Sequence, residues 1–225
     1  MVKKLFKETH GFTLLELMIA STIFATILVL LTYAMLAINK DYTKATNNNR
    51  TQLTARSLVD TISQAIQFSN GQVIINSYDA VSKLGSVCFG DKRLRYTKGF
   101  MLSEDSGANN SKYVALLDDR GSGSCLNQPF SGPSGDNTGQ ELLTSKMRLA
   151  NLSIVNVSGG DLYQITLRIV YGDDDLLCDG TPANCANIRT PPSSYDNPNL
   201  SCKNIAGKEY CAAVELSTTV QKRVQ

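Results

Sequence analysis

Residues 11–17, Gly11-Phe12-Thr13-Leu14-Leu15-Glu16-Leu17, join a short basic leader to a long apolar run and set one carboxylate inside it. From Phe12 to Ile38 the chain reads FTLLELMIASTIFATILVLLTYAMLAI, 27 residues in which Glu16 is the only charge. As a helix this run rises roughly 40 Å, more than the ~30 Å hydrocarbon core of a bilayer. A carboxylate in such a segment costs on the order of 3 kcal/mol on insertion scales, so it requires a partner.

Upstream, MVKKLFKETHG carries Lys3, Lys4 and Lys7 against Glu8, a net charge of +2. The positive-inside rule keeps such a leader in the cytoplasm. A secretory signal places its small-residue cleavage site after the apolar stretch. Here the small residue, Gly11, comes before it. Cleavage at Gly11 removes the leader and leaves the apolar segment on the mature chain as its anchor. The alternative is an uncut signal anchor in which Gly11 is a hinge.

The run Gly11 to Ala20, GFTLLELMIA, resembles at every position the class III signal of type IV pilins and type II secretion pseudopilins. That resemblance implies cleavage between Gly11 and Phe12 by a prepilin peptidase on the cytoplasmic face, followed by N-methylation of Phe12. It also implies that Glu16, the fifth mature residue, neutralises the new amino terminus of its own or an adjacent subunit. An ammonium at Phe12 and a carboxylate at Glu16 are each unfavourable alone in lipid and far less so as a hydrogen-bonded pair. Glu16 and Thr13 are therefore the expected assembly residues. The competing reading is a glutamate reaching for headgroup water near the cytoplasmic end.

No glycine or proline lies between Gly11 and Gly71, which permits one helix from Phe12 to about Phe68. Its second half turns polar at Asn39, with an apolar stripe at Leu58, Ile62 and Ile66 beside Val59 and Ala55. That spacing describes an amphipathic helix packed on something. Asn47-Asn48-Asn49 has weak helix propensity and is a candidate kink. Many major pilins carry a proline about two-thirds along the anchor; the matching region around Tyr33 has none. This departure favours a minor pilin or pseudopilin.

Beyond Gly71 the period changes to two. Strands are expected over 72–77, 86–89, 93–97, 112–117, 146–157, 161–171 and 210–220, with Ser158-Gly159-Gly160 as a hairpin turn. In the fifth, Met147, Leu149 and Asn151 alternate; in the sixth, Leu162 alternates with Ile165, Leu167, Ile169 and Tyr171. The stretches 103–139 and 172–207 read as long loops, the second holding four of the six prolines. The fold class predicted is α+β, a long N-terminal membrane-spanning helix packed on a mainly antiparallel β-sheet head with long disulfide-stapled loops. RLRYT, LTSKMRLANLSI, DLYQITLRIVYG and the closing STTVQKRVQ also resemble J-type minor pseudopilins and W-type minor pilins, which implies an extended two-sheet head.

Cys88, Cys125, Cys178, Cys185, Cys202 and Cys211 all lie beyond the anchor, and an even number in an exported segment favours disulfides. Proximity in sequence favours Cys88–Cys125, Cys178–Cys185 and Cys202–Cys211, with Cys178–Cys202 and Cys185–Cys211 as a rival. A zinc site is disfavoured by the lack of a C-x-x-C pair and of any histidine beyond His10. Asp173-Asp174-Asp175 with Asp179 invites a calcium reading but lacks the EF-hand pattern, so no metal or cofactor is expected. Without an imidazole in the mature chain, a phosphate loop or H-E-x-x-H, the expectation is no enzyme, and Glu141 has no evident partner carboxylate. The mature chain is near neutral, and the small cluster Lys92, Arg93, Arg95 and Lys98 reads as a solvated strand face, so no nucleic acid is expected.

The sequence thus divides into a leader (1–11), a transmembrane and assembly helix (12–38), an amphipathic second half (39–70) and a β-rich head (71–225). The resemblance implies a minor pilin or minor pseudopilin that helps initiate or cap a filament. Its implied partners are other pilins or pseudopilins, the prepilin peptidase, an inner-membrane assembly platform and membrane lipid. It implies a single-pass protein of the cytoplasmic membrane, head outside the cytoplasm, that later enters a pilus or pseudopilus. The rival from another class is a membrane-tethered adhesin displayed by the same export signal.

Overall fold

The computed structural model describes residues 11, 13–79, 84–101, 115–118, 139–157, 159–179, 186–187 and 200–223. The chain divides into two units, Met1–Tyr42 and Thr43–Gln225. The helix α1 runs Leu14–Gln67, close to the expected span. It passes through Asn47-Asn48-Asn49, the candidate kink, without interruption of the helix. Asn47 instead donates through Nδ2 to the Glu209 carbonyl, 3.1 Å away, a tertiary contact that offsets weak local propensity.

In the first unit the apolar side chains face outward: Leu14, Val29 and Ile38 are 77%, 69% and 67% exposed. The hydroxyls among them are satisfied by the helix itself. Ser21, Thr22, Thr26 and Thr32 each donate to a carbonyl three or four residues back, at 2.7–2.9 Å. These four hydroxyls are thereby spared the need for water, as a hydrocarbon environment demands.

In the second unit α1 buries Thr51, Ala55, Leu58, Val59, Ile62 and Ile66, which is the expected stripe extended by one turn. Five strands form an antiparallel meander: β1 (Val73–Asp79), β2 (Leu84–Phe89), β3 (Lys92–Thr97), β4 (Ala115–Asp118) and β5 (Gln140–Glu141). A second sheet takes the order β11-β7-β6, from β6 (Met147–Asn156), β7 (Leu162–Tyr171) and β11 (Ala212–Gln221). Val87, Phe89, Leu94 and Tyr96 from the first sheet and Leu149, Leu152, Ile165 and Leu167 from the second share one core with the helix stripe. Among the described residues all strand pairings are antiparallel, so the α+β architecture holds. Within 172–207, where a loop is expected, β8 (Leu177–Asp179), β9 (Ala186–Asn187) and β10 (Leu200–Cys202) make a third, small sheet.

Two phase readings are corrected. The β6–β7 register shifts between Leu149 and Asn151, a bulge at Ala150. An inserted residue flips the face of everything after it, so Leu152 and Ile154 rejoin the core and Asn151 does not. Ala150 faces away and packs with Val170, Leu176, Leu177 and Leu200 in a second small cluster. On β7 the inward set is Tyr163, Ile165, Leu167 and Ile169, and Leu162 stays half-buried on the other parity.

Gly85 sits across from Tyr96 in the β2–β3 register, and a Cβ there would meet the Tyr96 ring at 2.2 Å. The bare backbone lets that ring lie flat in the core. Burial pushes the Tyr96 phenol up from 10.0 to about 12. The folded chain therefore holds this proton more tightly than the unfolded one. Stability is full below pH 10 and falls as pH rises towards 12, by roughly 2–3 kcal/mol for a shift of this size. Tyr96→Phe removes that dependence, measurable as a flatter urea midpoint between about pH 9 and pH 11.5.

Candidate functional site

The described part of the leader junction begins at Gly11, exposed and outside the helix, and resumes at Thr13. Phe12 and residues 1–10 lie outside the described residues. Thr13 donates its backbone N–H to Glu16 Oε2 at 2.9 Å and its hydroxyl to the same oxygen at 3.0 Å. In return the Glu16 N–H donates to Thr13 Oγ1 at 3.2 Å. This is a reciprocal capping box, which satisfies two of the N–H groups that every helix start leaves without a partner.

The geometry fixes two things together. The helix begins at Leu14, leaving Gly11 in non-helical chain. The Glu16 carboxylate is turned back towards the N-terminus, the direction from which an amine at residue 12 would approach. The rest of the carboxylate faces outward beside exposed Leu14, Leu15 and Leu17. The T-x-x-E pattern that announces this box was present in the sequence at Thr13-Leu14-Leu15-Glu16.

Residues 7–32 match the family model of the prokaryotic N-terminal methylation motif. The chain carries a prepilin-type signal. With the long apolar helix that follows, the signal is consistent with a type IV pilin or pseudopilin. No curated protein and no solved structure matches the chain.

The other residues singled out in the sequence sit apart from this motif. Cys202 and Cys211 form a disulfide with Cα atoms 5.8 Å apart, which excludes the rival pairing. Cys88 and Cys178 are disulfide-bonded as well, while Cys125 and Cys185 lie outside the described residues. The Cys202–Cys211 bridge closes a short loop, and a crosslink of that span contributes roughly 2–3 kcal/mol by loop entropy. The variant with both cysteines changed to serine is expected to lose that amount in urea unfolding, with the Asn47–Glu209 contact loosened.

The acidic triplet is engaged by cations of the protein. Asp173 Oδ2 accepts from Lys146 Nζ at 2.9 Å, and this hydrogen bond raises the Lys146 pKa. Asp174 pairs with Arg148, whose side chain is 1% exposed and also donates to the Gly99 carbonyl at 2.9 Å. Asp175 is exposed, and nothing of the Asp179 side chain is described. Glu141 accepts from the Ala115 and Leu143 N–H groups at 3.0 and 2.9 Å, tying β5 to β4. Arg93 and Arg95 are buried, 2% and 3% exposed, which corrects their reading as a solvated strand face. Lys98 lies over the Tyr78 ring at 4.6 Å.

Proposed function

We propose that this chain is a minor pilin or minor pseudopilin, a structural subunit cleaved between Gly11 and Phe12 and N-methylated at Phe12. Residues 1–11 are the leader, 12–38 the membrane and assembly helix, 39–70 its amphipathic continuation and 71–225 the head. The subunit waits in the cytoplasmic membrane with its head outside the cytoplasm. It then joins other pilins or pseudopilins through an inner-membrane platform, and helps initiate or cap the filament. Its work is assembly rather than catalysis.

The observation that carries this reading is the Glu16 carboxylate, held by Thr13 inside an otherwise uncharged, outward-facing apolar helix. Among the described residues that carboxylate meets two neutral donors, both from Thr13. The new amine at Phe12, on the same or a neighbouring subunit, supplies the charge that the apolar setting lacks. As anchors leave lipid and pack side by side, the exposed leucines and isoleucines exchange acyl chains for each other, and the ion pair sets their register.

Mass spectrometry of the protein from its native membrane tests the processing step. The expected N-terminus is N-methylated Phe12. Fully functional material that still begins at Met1 overturns the proposal.

A further inference from the structure

The second unit holds a groove of about 370 Å³ that the assembly reading does not use. Lys44 and Asn48 of α1 form one wall, and Lys203, Asn204 and Lys208 form the other, over the Cys202–Cys211 bridge. The groove is thus lined by three lysines and two asparagines, with no carboxylate among its lining residues. This collection of donors suits an oxyanion with several acceptor oxygens.

Its frame is fixed rather than floppy. The disulfide closes the loop that carries Lys203 and Lys208, and Asn47 ties the Glu209 carbonyl of that loop to α1 at 3.1 Å. Lys208 Nζ donates to Asn204 Oδ1 at 3.1 Å, which holds the ammonium at the rim. Two large apolar side chains of the same loop, Ile205 and Tyr210, stand 48% and 55% exposed. Lysine heads beside an exposed aromatic and an aliphatic chain are the composition of a surface that meets lipid headgroups.

Covalent reach names the anion. Lys44 follows Ile38, the last residue of the apolar run, by six positions. Six residues span at most about 20 Å even when fully extended. A bilayer that holds the apolar run therefore keeps Lys44 within reach of its own headgroups, whatever the path of the chain between. We propose that this groove binds the phosphate of an anionic phospholipid in the membrane that anchors the chain, seating the head on the bilayer before assembly. The proposal rests on the membrane-anchored reading above.

The full-length protein in lipid nanodiscs provides the test. The chain has no tryptophan, so Ile205→Trp introduces a single reporter. Nitroxide carried on a lipid headgroup quenches it on contact. Replacing about a third of a zwitterionic lipid by phosphatidylglycerol is expected to raise quenching at least about three-fold, and about 0.5 M salt to reverse the rise. The triple variant K44Q/K203Q/K208Q is expected to lose the lipid dependence while staying in the disc.

Equal quenching in zwitterionic and anionic discs overturns the proposal, as does a triple variant that behaves like the parent. At constant ionic strength inorganic phosphate is expected to compete only weakly; a low concentration of it that abolishes the quenching overturns the lipid assignment, since the groove then takes free phosphate. So does a lipid-independent groove whose neutralisation instead strips co-purifying filament subunits, which identifies a protein partner. Failure of the anchoring reading is visible separately: the parent chain would not co-elute with the discs, and the lipid proposal would fall with it.

Discussion

Glu16→Ala is expected to leave a subunit that enters the membrane at least as well as the parent yet fails to join filaments, with incorporation reduced ten-fold or more. Removing a carboxylate from an apolar helix relieves an insertion cost on the order of 3 kcal/mol, so abundance in the membrane does not fall. What is lost, on the proposed role, is the acceptor for the Phe12 amine. Alanine also removes half of the capping box, at about 1 kcal/mol of helix-start stability. Glu16→Gln separates the two effects. A glutamine keeps the Thr13 hydrogen bonds, because its carbonyl accepts as the carboxylate does, but it carries no charge.

If assembly depends on the ion pair, glutamine fails as alanine does. If it depends only on where the helix starts, glutamine restores it. Immunoblots of sheared filament and membrane fractions report both quantities in one experiment. Wild-type filament incorporation of Glu16→Ala would contradict the proposed role and leave the chain as a tethered display module.

The second large effect lies in the head. Asp174→Ala is expected to destabilise the folded state by ~3–5 kcal/mol, because it takes a paired carboxylate away from the buried Arg148 guanidinium. That guanidinium sits on β6 beside the bulge and connects the first sheet, through the Gly99 carbonyl, to the turn after β7. Removing both charges is expected to hurt much less. The pair Arg148→Met with Asp174→Leu is expected to recover much of the loss, since apolar groups of similar volume need no ionic partner. Urea unfolding of the detergent-solubilised chain, followed by near-ultraviolet circular dichroism, measures both. A single Asp174→Ala variant within about 1 kcal/mol of the parent would show that water reaches the pair.

The candidate site was almost wholly legible. The leader charge, Gly11, the embedded glutamate and the uninterrupted apolar run are one-dimensional features, and the T-x-x-E capping pattern is local. The helix stripe from Ala55 to Ile66 was equally plain, because a repeat of 3.6 survives any tertiary context. Strand positions were read to within a few residues, yet faces were not always. Ala150 shows why. A bulge adds one residue to one strand, and nothing in the residues before it signals the change of parity that follows.

The arginines show the opposite failure. Arg93 and Arg95 look like surface residues by composition, and only their neighbours bury them. The acidic triplet likewise looked like a turn or a cation site until Lys146 and Arg148, some 25 positions upstream, were found against it.

Sequence alone determined the long apolar run, the single acid within it, the helix that follows and the oxidisable cysteines, because each depends on contiguous residues or on composition. Tertiary structure decided the third sheet, the Cys202–Cys211 pairing, the partners of the acidic triplet and the three-lysine groove. These depend on residues far apart in the chain, and short-range periodicity carries no record of which distant segments meet.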